Sequence, residues 1–477
     1  MHLPVLIHGI LLLFFIFSGT SCTHSPAEGE EAGRIRSYSE NPFYWQYRGE
    51  PVMLIGASCD DNLFQVPELE AHLDQMREVG ANYIRNTMSE RPVNGYEVRA
   101  FSRSGEKYDL ERWNPEYWER FERLLEGCLE RDIIVQVELW ATHDFFPGDQ
   151  WDLSPWNPGN NINYDYSNTS LSRQVPPRAN GFHPFFNTVP GVLNDTTTLS
   201  FQKQFVDRVL SYTLSRPNVL YCITNEIQHA QSKLWGWFWA DYIHSAAAEK
   251  GVNACVTEMY WATDLKDDQH RFSYASPDRF DYFESSQNSA RSGQENWDNL
   301  QYIRDRLMED PCPVNAVKIY GKSGEVTWPG SDEEAVDRFW RNILGGCASS
   351  RFHRNEQGKY GLGWSELSVH SIRAMRRFLE DLDPWISQPA TEELLEREAN
   401  EAYMMRTREG TRGLYFTGGG AVSLDLSESP GSYELTWIDV TSGEAPAPET
   451  LEVNTLLTLS PPSARGKWAC IMVPLLP

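Results

Sequence analysis

From residue 52 to residue 382, short apolar runs alternate with amphipathic segments of helical period, and this alternation constrains the fold more than any other feature. Strand signals fall at 52–57, 82–86, 133–139, 219–226, 252–257, 280–284, 314–320 and 347–352. Helical patterns fall at 67–80, 115–131, 200–215, 234–250, 297–308, 332–344 and 365–382, the second with Trp118, Phe121, Leu124 and Leu125 on one face. Eight strands in series, seven of them followed by a helical pattern, predict a (β/α)8 barrel of the TIM type rather than an open doubly wound sheet. A long Asn-, Pro-, Gly- and Trp-rich insertion over 144–196 interrupts the rhythm before the fourth strand.

The pattern changes after residue 385. Short strands at 402–406, 413–417, 421–426, 433–439, 456–459 and 468–473 are split by Gly, Ser and Pro turns and predict a small antiparallel β-sandwich. A helix carrying Glu392, Glu393 and Glu396 is expected to bridge the two parts. The expected organisation is therefore 1–22 leader, 23–39 linker, 40–385 barrel and 386–477 sandwich.

The leader rests on the run Ile10 to Phe17, too short to span a bilayer and suited to a signal-peptide core. Small residues then precede Cys22, an arrangement that resembles a bacterial lipoprotein cleavage site. It predicts an exported chain, in the periplasm or on the cell envelope, touching a membrane only through a lipid on Cys22. The other seven cysteines are scattered, with neither Cys-x-x-Cys nor zinc spacing, so no metal is expected. A net charge of -25 argues against nucleic acid and anionic membrane surfaces as partners. The oligomeric state is not legible.

The segment Asn218 to Glu226 carries the chemistry. A buried strand (Val219, Leu220, Tyr221, Cys222, Ile223) ends in Asn225-Glu226, which puts a carboxylate and an amide at the carboxyl end of the fourth strand. Upstream, Gly80-Ala81-Asn82-Tyr83-Ile84-Arg85 resembles the Gly-x-Asn-x-x-Arg of the second strand in the cellulase-like clan A glycoside hydrolases. The Asn225-Glu226 terminus matches the same clan, and Leu435 to Gly443 looks like the β-sandwich often appended to such enzymes. The resemblance implies a carbohydrate substrate, no cofactor, Glu226 as general acid/base, Asn225 on a sugar hydroxyl and Arg85 in the site floor.

The chain departs from that clan at the seventh strand. Val317-Lys318-Ile319-Tyr320-Gly321 stands where the nucleophile Glu is usual, with Ile319 in its place, and Ser350-Arg351-Phe352-His353 replaces the usual eighth-strand Trp. Glycoside hydrolysis needs a second carboxylate, about 5 Å away for retention or roughly 6.5–9.5 Å for inversion. The candidates, in order, are Glu284, Glu258 and Glu325, each at or after a strand end. Substrate contacts are expected from Asp60, Asp61, Arg85, Trp140, His143, Asn225, Lys318, Tyr320 and His353. Strand alternation puts Lys318 and Tyr320 on one face, either toward substrate or with Lys318 neutralising a buried carboxylate such as Glu284. Trp235, Trp239 and Tyr242 recur at helical spacing and read as core packing. Three functions compete: hydrolysis of an oligo- or polysaccharide, sugar binding by a barrel that has lost hydrolysis, and elimination with Lys318 and Tyr320 as acid and base.

Overall fold

Eight strands organise the larger part of the chain: β1 (Leu54–Ala57), β2 (Tyr83–Thr87), β3 (Ile134–Ala141), β4 (Val219–Asn225), β5 (Cys255–Thr257), β6 (Phe283–Glu284), β7 (Val314–Asn315) and β8 (Ser349–Phe352). The structure is a computed structural model and describes residues 33–475 apart from 91–93, 147–148, 178–180, 229–230, 323–329, 355–361 and 399. The leader, Cys22 and Glu325 lie outside the described residues.

A helix follows each strand: α1 (Leu69–Glu78), α2 (Pro115–Glu130), α3 (Thr196–Thr213), α4 (Lys233–Glu249), α5 (Asp268–Tyr274), α6 (Gly293–Arg306), α7 (Asp332–Leu344) and α8 (Glu366–Phe378). Their starts are set by side chains that accept from free backbone N–H groups: Asn114 before Pro115 at α2, Asp195 at α3, Ser232 at α4, Ser331 at α7. At α8, Ser365 and Ser368 form a reciprocal capping box.

Parallel ladders join β2 to β3, β3 to β4, β4 to β5, β6 to β7 and β8 to β1. Isolated hydrogen bonds link the remaining neighbours: Asn82 N to Ile55 O at 2.9 Å, Asp281 N to Val256 O at 2.9 Å, and, along β7 and β8, Ala348 N to Val314 O at 2.8 Å, Arg351 N to Ala316 O at 3.0 Å and Ile319 N to Arg351 O at 3.1 Å. Asn82 fastens β1 to β2 a second time, its Oδ1 accepting from Ile55 N. Gly80, at φ +80, makes the turn into β2, and the Arg376 side chain packs where a Cβ would sit.

The apolar core lies between strands and helices, and the strand faces turned away from the helices are polar. Tyr83, Arg85, Gln136, Glu138, Glu284, Asn315 and Arg351 are all buried there. Four of them bond in a chain: Tyr83 Oη donates to Gln136 Oε1 at 2.6 Å, Gln136 Nε2 to Glu284 Oε2 at 3.1 Å, and Asn315 Nδ2 to Tyr83 Oη at 2.9 Å. Trp235 and Trp239 are fully buried core residues, as their spacing predicts, and Tyr242 lies at its edge, donating to Asp207.

After α8 come a six-stranded antiparallel sheet, ordered Ser387–Pro389, Ala402–Thr407, Arg412–Phe416, Trp468–Pro474, Gly431–Asp439, Glu449–Val453, and a three-stranded one, ordered Leu394–Leu395, Val422–Asp425, Leu456–Leu459. A separate apolar cluster fills the space between them. The six-stranded sheet packs on α7, where Tyr415 stacks on Trp340 at 5.1 Å and donates to Asp337 at 2.6 Å. One sequence expectation needs correction. The bridging helix is absent: Thr391–Glu393 is a single 3-10 turn, and Leu394–Leu395 pairs with Val422–Asp425, so sheet pairing overrides the helical propensity of the glutamates. The hairpin Phe101–Ser104 with Lys107–Trp113 and the short helix α5 were not foreseen.

Candidate functional site

A cavity of about 510 Å³ lies at the carboxyl ends of the strands. Glu226, the residue after β4, stands in its wall with the backbone in the left-handed region at φ +64. A side chain rarely adopts that conformation, and holding it costs roughly 1–3 kcal/mol. The strain turns the chain out of the strand direction and leaves Asn225 and Glu226 both facing the cavity. The next residue is pinned, Ile227 N donating to Met259 O at 2.8 Å.

The Glu226 carboxylate is 6% exposed and held from several sides. Lys318 Nζ donates to its Oε1 at 2.5 Å and to Asn225 Oδ1 at 2.5 Å. Gln287 Nε2 donates to Oε1 at 3.0 Å, Tyr320 Oη lies 3.5 Å from the same oxygen, and His143 Nε2 lies 3.3 Å from Oε2. Burial pulls the Lys318 ammonium below its usual range, and the Glu226 charge partly restores it. The cation foreseen on the seventh strand does pair with a buried carboxylate, but that carboxylate is Glu226 and not Glu284.

A second carboxylate, Asp61, lines the same cavity. Arg85 Nη1 reaches Asp61 Oδ1 at 2.5 Å, and Arg354 pairs with the other oxygen. Arg85 Nε holds Glu138 at 2.7 Å, so one guanidinium ties the cavity floor to the polar interior below. His353 Nδ1 is 3.6 Å from Asp61, and its ring lies edge-on to Tyr320 at 4.5 Å. Burial, reinforced by Arg85, Arg351 and Lys318, pushes the His353 imidazole well below its usual range, so it is neutral at pH 7.

The structure thus brings together Asp61, Arg85, His143, Asn225, Glu226, Lys318, Tyr320 and His353. It places the remaining sequence candidates elsewhere. Glu284 is a residue of β6 and sits a layer below the cavity, accepting from Ser286 N at 3.1 Å and from Gln136; burial pushes its carboxyl up to about 7. Glu258 is buried against α4, where a Cβ on Gly236 would stand 2.7 Å from its Oε2, and burial holds its carboxyl well above the usual range. Neither lines the cavity. Asp60 turns toward a loop, accepting from Asn94 Nδ2 at 2.9 Å and Tyr96 Oη at 3.2 Å. Trp140 packs among Trp156, Phe185, Phe205, Trp235 and Trp239 with ring centroids 5.0–6.2 Å away. That outer aromatic wall draws it off the central cavity. Gln287 lines the cavity from the 3-10 turn Ser286–Ala290, within the polar run 284–288 whose side chains the sequence suits to gripping hydroxyls; Trp261, Thr263 and Arg354 also line it and escaped the sequence reading, on irregular segments where no periodicity marks a facing side. Among the described residues no group of His, Cys, Asp and Glu is placed to hold a metal ion.

Residues 92–269 match a family model described as a domain of unknown function, DUF6298. No curated protein matches. Among solved structures, a glycoside hydrolase family 5 protein from Bacteroides vulgatus ATCC 8482 is similar at a TM-score of 0.61, with 12% identity over 94% of this chain and 95% of that one. A second structure, named only as a glycoside hydrolase, gives 0.61 with 12% identity over 94% of this chain and 98% of that one. A cyclomaltodextrin glucanotransferase is similar at 0.53, with 11% identity over 89% of this chain and 99% of that one. At such identities the likeness is one of fold: the chain shares the α/β architecture of family 5 glycoside hydrolases.

Proposed function

We propose that this protein is a glycoside hydrolase acting on an oligo- or polysaccharide, with Glu226 as the proton-transferring carboxylate. One observation carries the reading: a carboxylate on a strained backbone at the carboxyl end of β4, gripped by Lys318, Gln287 and His143 in the wall of a cavity that also contains Asp61. Strain of this kind is retained where geometry matters to function.

The two carboxylates have different surroundings, which suits them to different roles. Asp61 sits between the guanidiniums of Arg85 and Arg354, which face a carboxylate in the role of a base that activates water. Glu226 shares its oxygen with an ammonium that burial already weakens as a cation holder. When a bound sugar excludes water, the pair Lys318 ammonium and Glu226 carboxylate is disfavoured against amine and carboxylic acid. Lys318 then passes one proton to Glu226, and Glu226 passes it to the leaving glycosidic oxygen as the C–O bond breaks. Water adds to the sugar carbon and gives its proton to Asp61. Asn225 and Gln287 would hold sugar hydroxyls. In this reading Asp61 takes the place of Glu284 and Glu258 as second carboxylate.

A second reading, sugar binding without hydrolysis, is favoured by Lys318 itself, because a cation lies against Glu226 from the strand where the resemblance implies a nucleophile. Screening the purified protein against neutral and acidic plant and algal oligosaccharides separates the two. Product release that Glu226→Gln abolishes supports hydrolysis; retention of a sugar with no product supports the binding barrel.

We further propose that the eight linked units form a closed (β/α)8 barrel over about 40–385, with a β-sandwich after it. The chain is taken to be exported and anchored by a lipid on Cys22. The resemblance of Ser18 to Cys22 to a lipoprotein site supports the anchor, and loss of membrane association in Cys22→Ser would test it.

A further inference from the structure

The short turn Thr142–Asp144 points in two directions. His143 reaches Glu226 in the central cavity, whereas Asp144 lines a second, smaller cavity of about 190 Å³ beside it. Rings of Trp140, Phe145, Trp156 and Phe205 form the apolar walls of this side pocket, and Glu90, Asp144 and Arg99 supply its charge. Arg99 and Asp144 are partly exposed and Leu153 is 50% exposed, so the pocket meets solvent on that side.

Two observations mark it as built for a ligand. Trp140 lines the pocket at 2% exposure, yet among the described residues its Nε1–H has no hydrogen-bond partner. A buried donor left unmet costs about 1–3 kcal/mol, which an acceptor on a ligand would recover. Glu90 is 8% exposed, its Oε1 accepting from Ala100 N at 2.7 Å and its Oε2 lying 3.7 Å from Arg99. Burial raises its carboxyl above the usual range.

We propose that this side pocket binds one neutral sugar residue, a branch or neighbouring unit of the substrate in the central cavity. The class follows from the lining. Aromatic walls suit the C–H face of a sugar ring, carboxylates accept from its hydroxyls, and Trp140 Nε1–H requires an oxygen acceptor. Among the described lining residues two carboxylates stand against one guanidinium, a balance that disfavours an anionic sugar. The volume equals about six waters at ~30 Å³ each, the scale of one ring rather than two. The choice of a sugar rests on the carbohydrate reading of the central site.

The test is direct binding to the full-length protein labelled with 15N-tryptophan, using methyl glycosides of neutral hexoses and pentoses at up to ~50 mM, with methyl glucuronide and glucosamine as charged controls. A neutral glycoside should shift the indole N–H signal that Trp140→Phe removes. Its affinity by calorimetry should fall about tenfold in Trp140→Phe, which keeps an aromatic ring and loses the donor. Glu90→Gln keeps the volume and should weaken binding similarly, giving a second variant if the first melts early. Glu226→Gln should still bind. No shift with any neutral glycoside, stronger binding of a charged control, or undiminished parental affinity in both pocket variants would overturn the proposal. The readout is binding at Trp140, so absence of hydrolysis in the same samples counts against the hydrolase reading alone.

Discussion

Lys318→Met isolates the interaction at the centre of the site. Both partners are buried, Lys318 at 1% and Glu226 at 7% side-chain exposure, so the loss is not softened by solvent screening. Removing one member of a buried ion pair costs about 3–5 kcal/mol when the other stays charged. Protonating the orphaned carboxylate caps that cost. From an unfolded-state carboxyl near ~4.3, protonation at pH 7 costs about 4 kcal/mol, and at pH 5 about 1 kcal/mol. In the variant, a carboxyl buried without its cation titrates higher folded than unfolded. Its penalty is therefore absent below the unfolded value and grows as pH rises. For a unit of some 350 residues, 1 kcal/mol moves Tm by roughly 1.4 °C. The variant should melt about 5 °C below the parent at pH 7 and only about 1–2 °C below it at pH 5. Thermal melts by circular dichroism at the two pH values, with Lys318→Met/Glu226→Gln as the third protein, make the measurement. The double variant should recover most of the pH 7 loss, because a neutral amide needs no cation. A loss equal at both pH values, or no recovery, would refute the claim that Lys318 stabilises the fold through the Glu226 charge.

Two further outcomes follow from the same structure. Glu284 titrates near about 7 because it is buried, so its charge costs stability as pH rises from about 4.5 through 7; Glu284→Gln should flatten that fall in Tm and leave turnover within about threefold. If that variant were inactive, the sealed position of Glu284 would not exclude it from the chemistry. Asp61→Asn removes the charge that Arg85 and Arg354 both address and should lower kcat about 100-fold or more, with a smaller change in KM, in steady-state assays on whichever oligosaccharide is cleaved. Unchanged kcat would remove Asp61 from the mechanism.

The sequence made the strand-helix order legible because each unit carries its own signals. α7 spans Asp332–Leu344 as predicted, since Ser331 caps it and Gly345 follows it. The β4 terminus was equally readable, an apolar run that stops at Asn225-Glu226. Partners across the strand assembly were not. Alternation told that Lys318 and Tyr320 share a face, but whether that face meets Glu226 or Glu284 depends on how far each strand rises. Glu226 stands one residue beyond its strand on a left-handed backbone, whereas Glu284 is still within β6 and lies a layer deeper. Glu258 also follows its strand, yet packs toward Gly236 of α4, an orientation no local pattern encodes. The 392–396 stretch shows propensity losing to pairing: three glutamates favour helix, and the ladder with Val422–Asp425 wins.

The central claim is that Glu226 moves the proton that cleaves a glycosidic bond. Product release from the oligosaccharide panel, measured side by side for the parent protein and Glu226→Gln, tests it most directly. The account predicts hydrolysis by the parent and a loss of at least ~1,000-fold in kcat/KM for the variant, with the fold intact by circular dichroism. Undiminished hydrolysis by Glu226→Gln would contradict it.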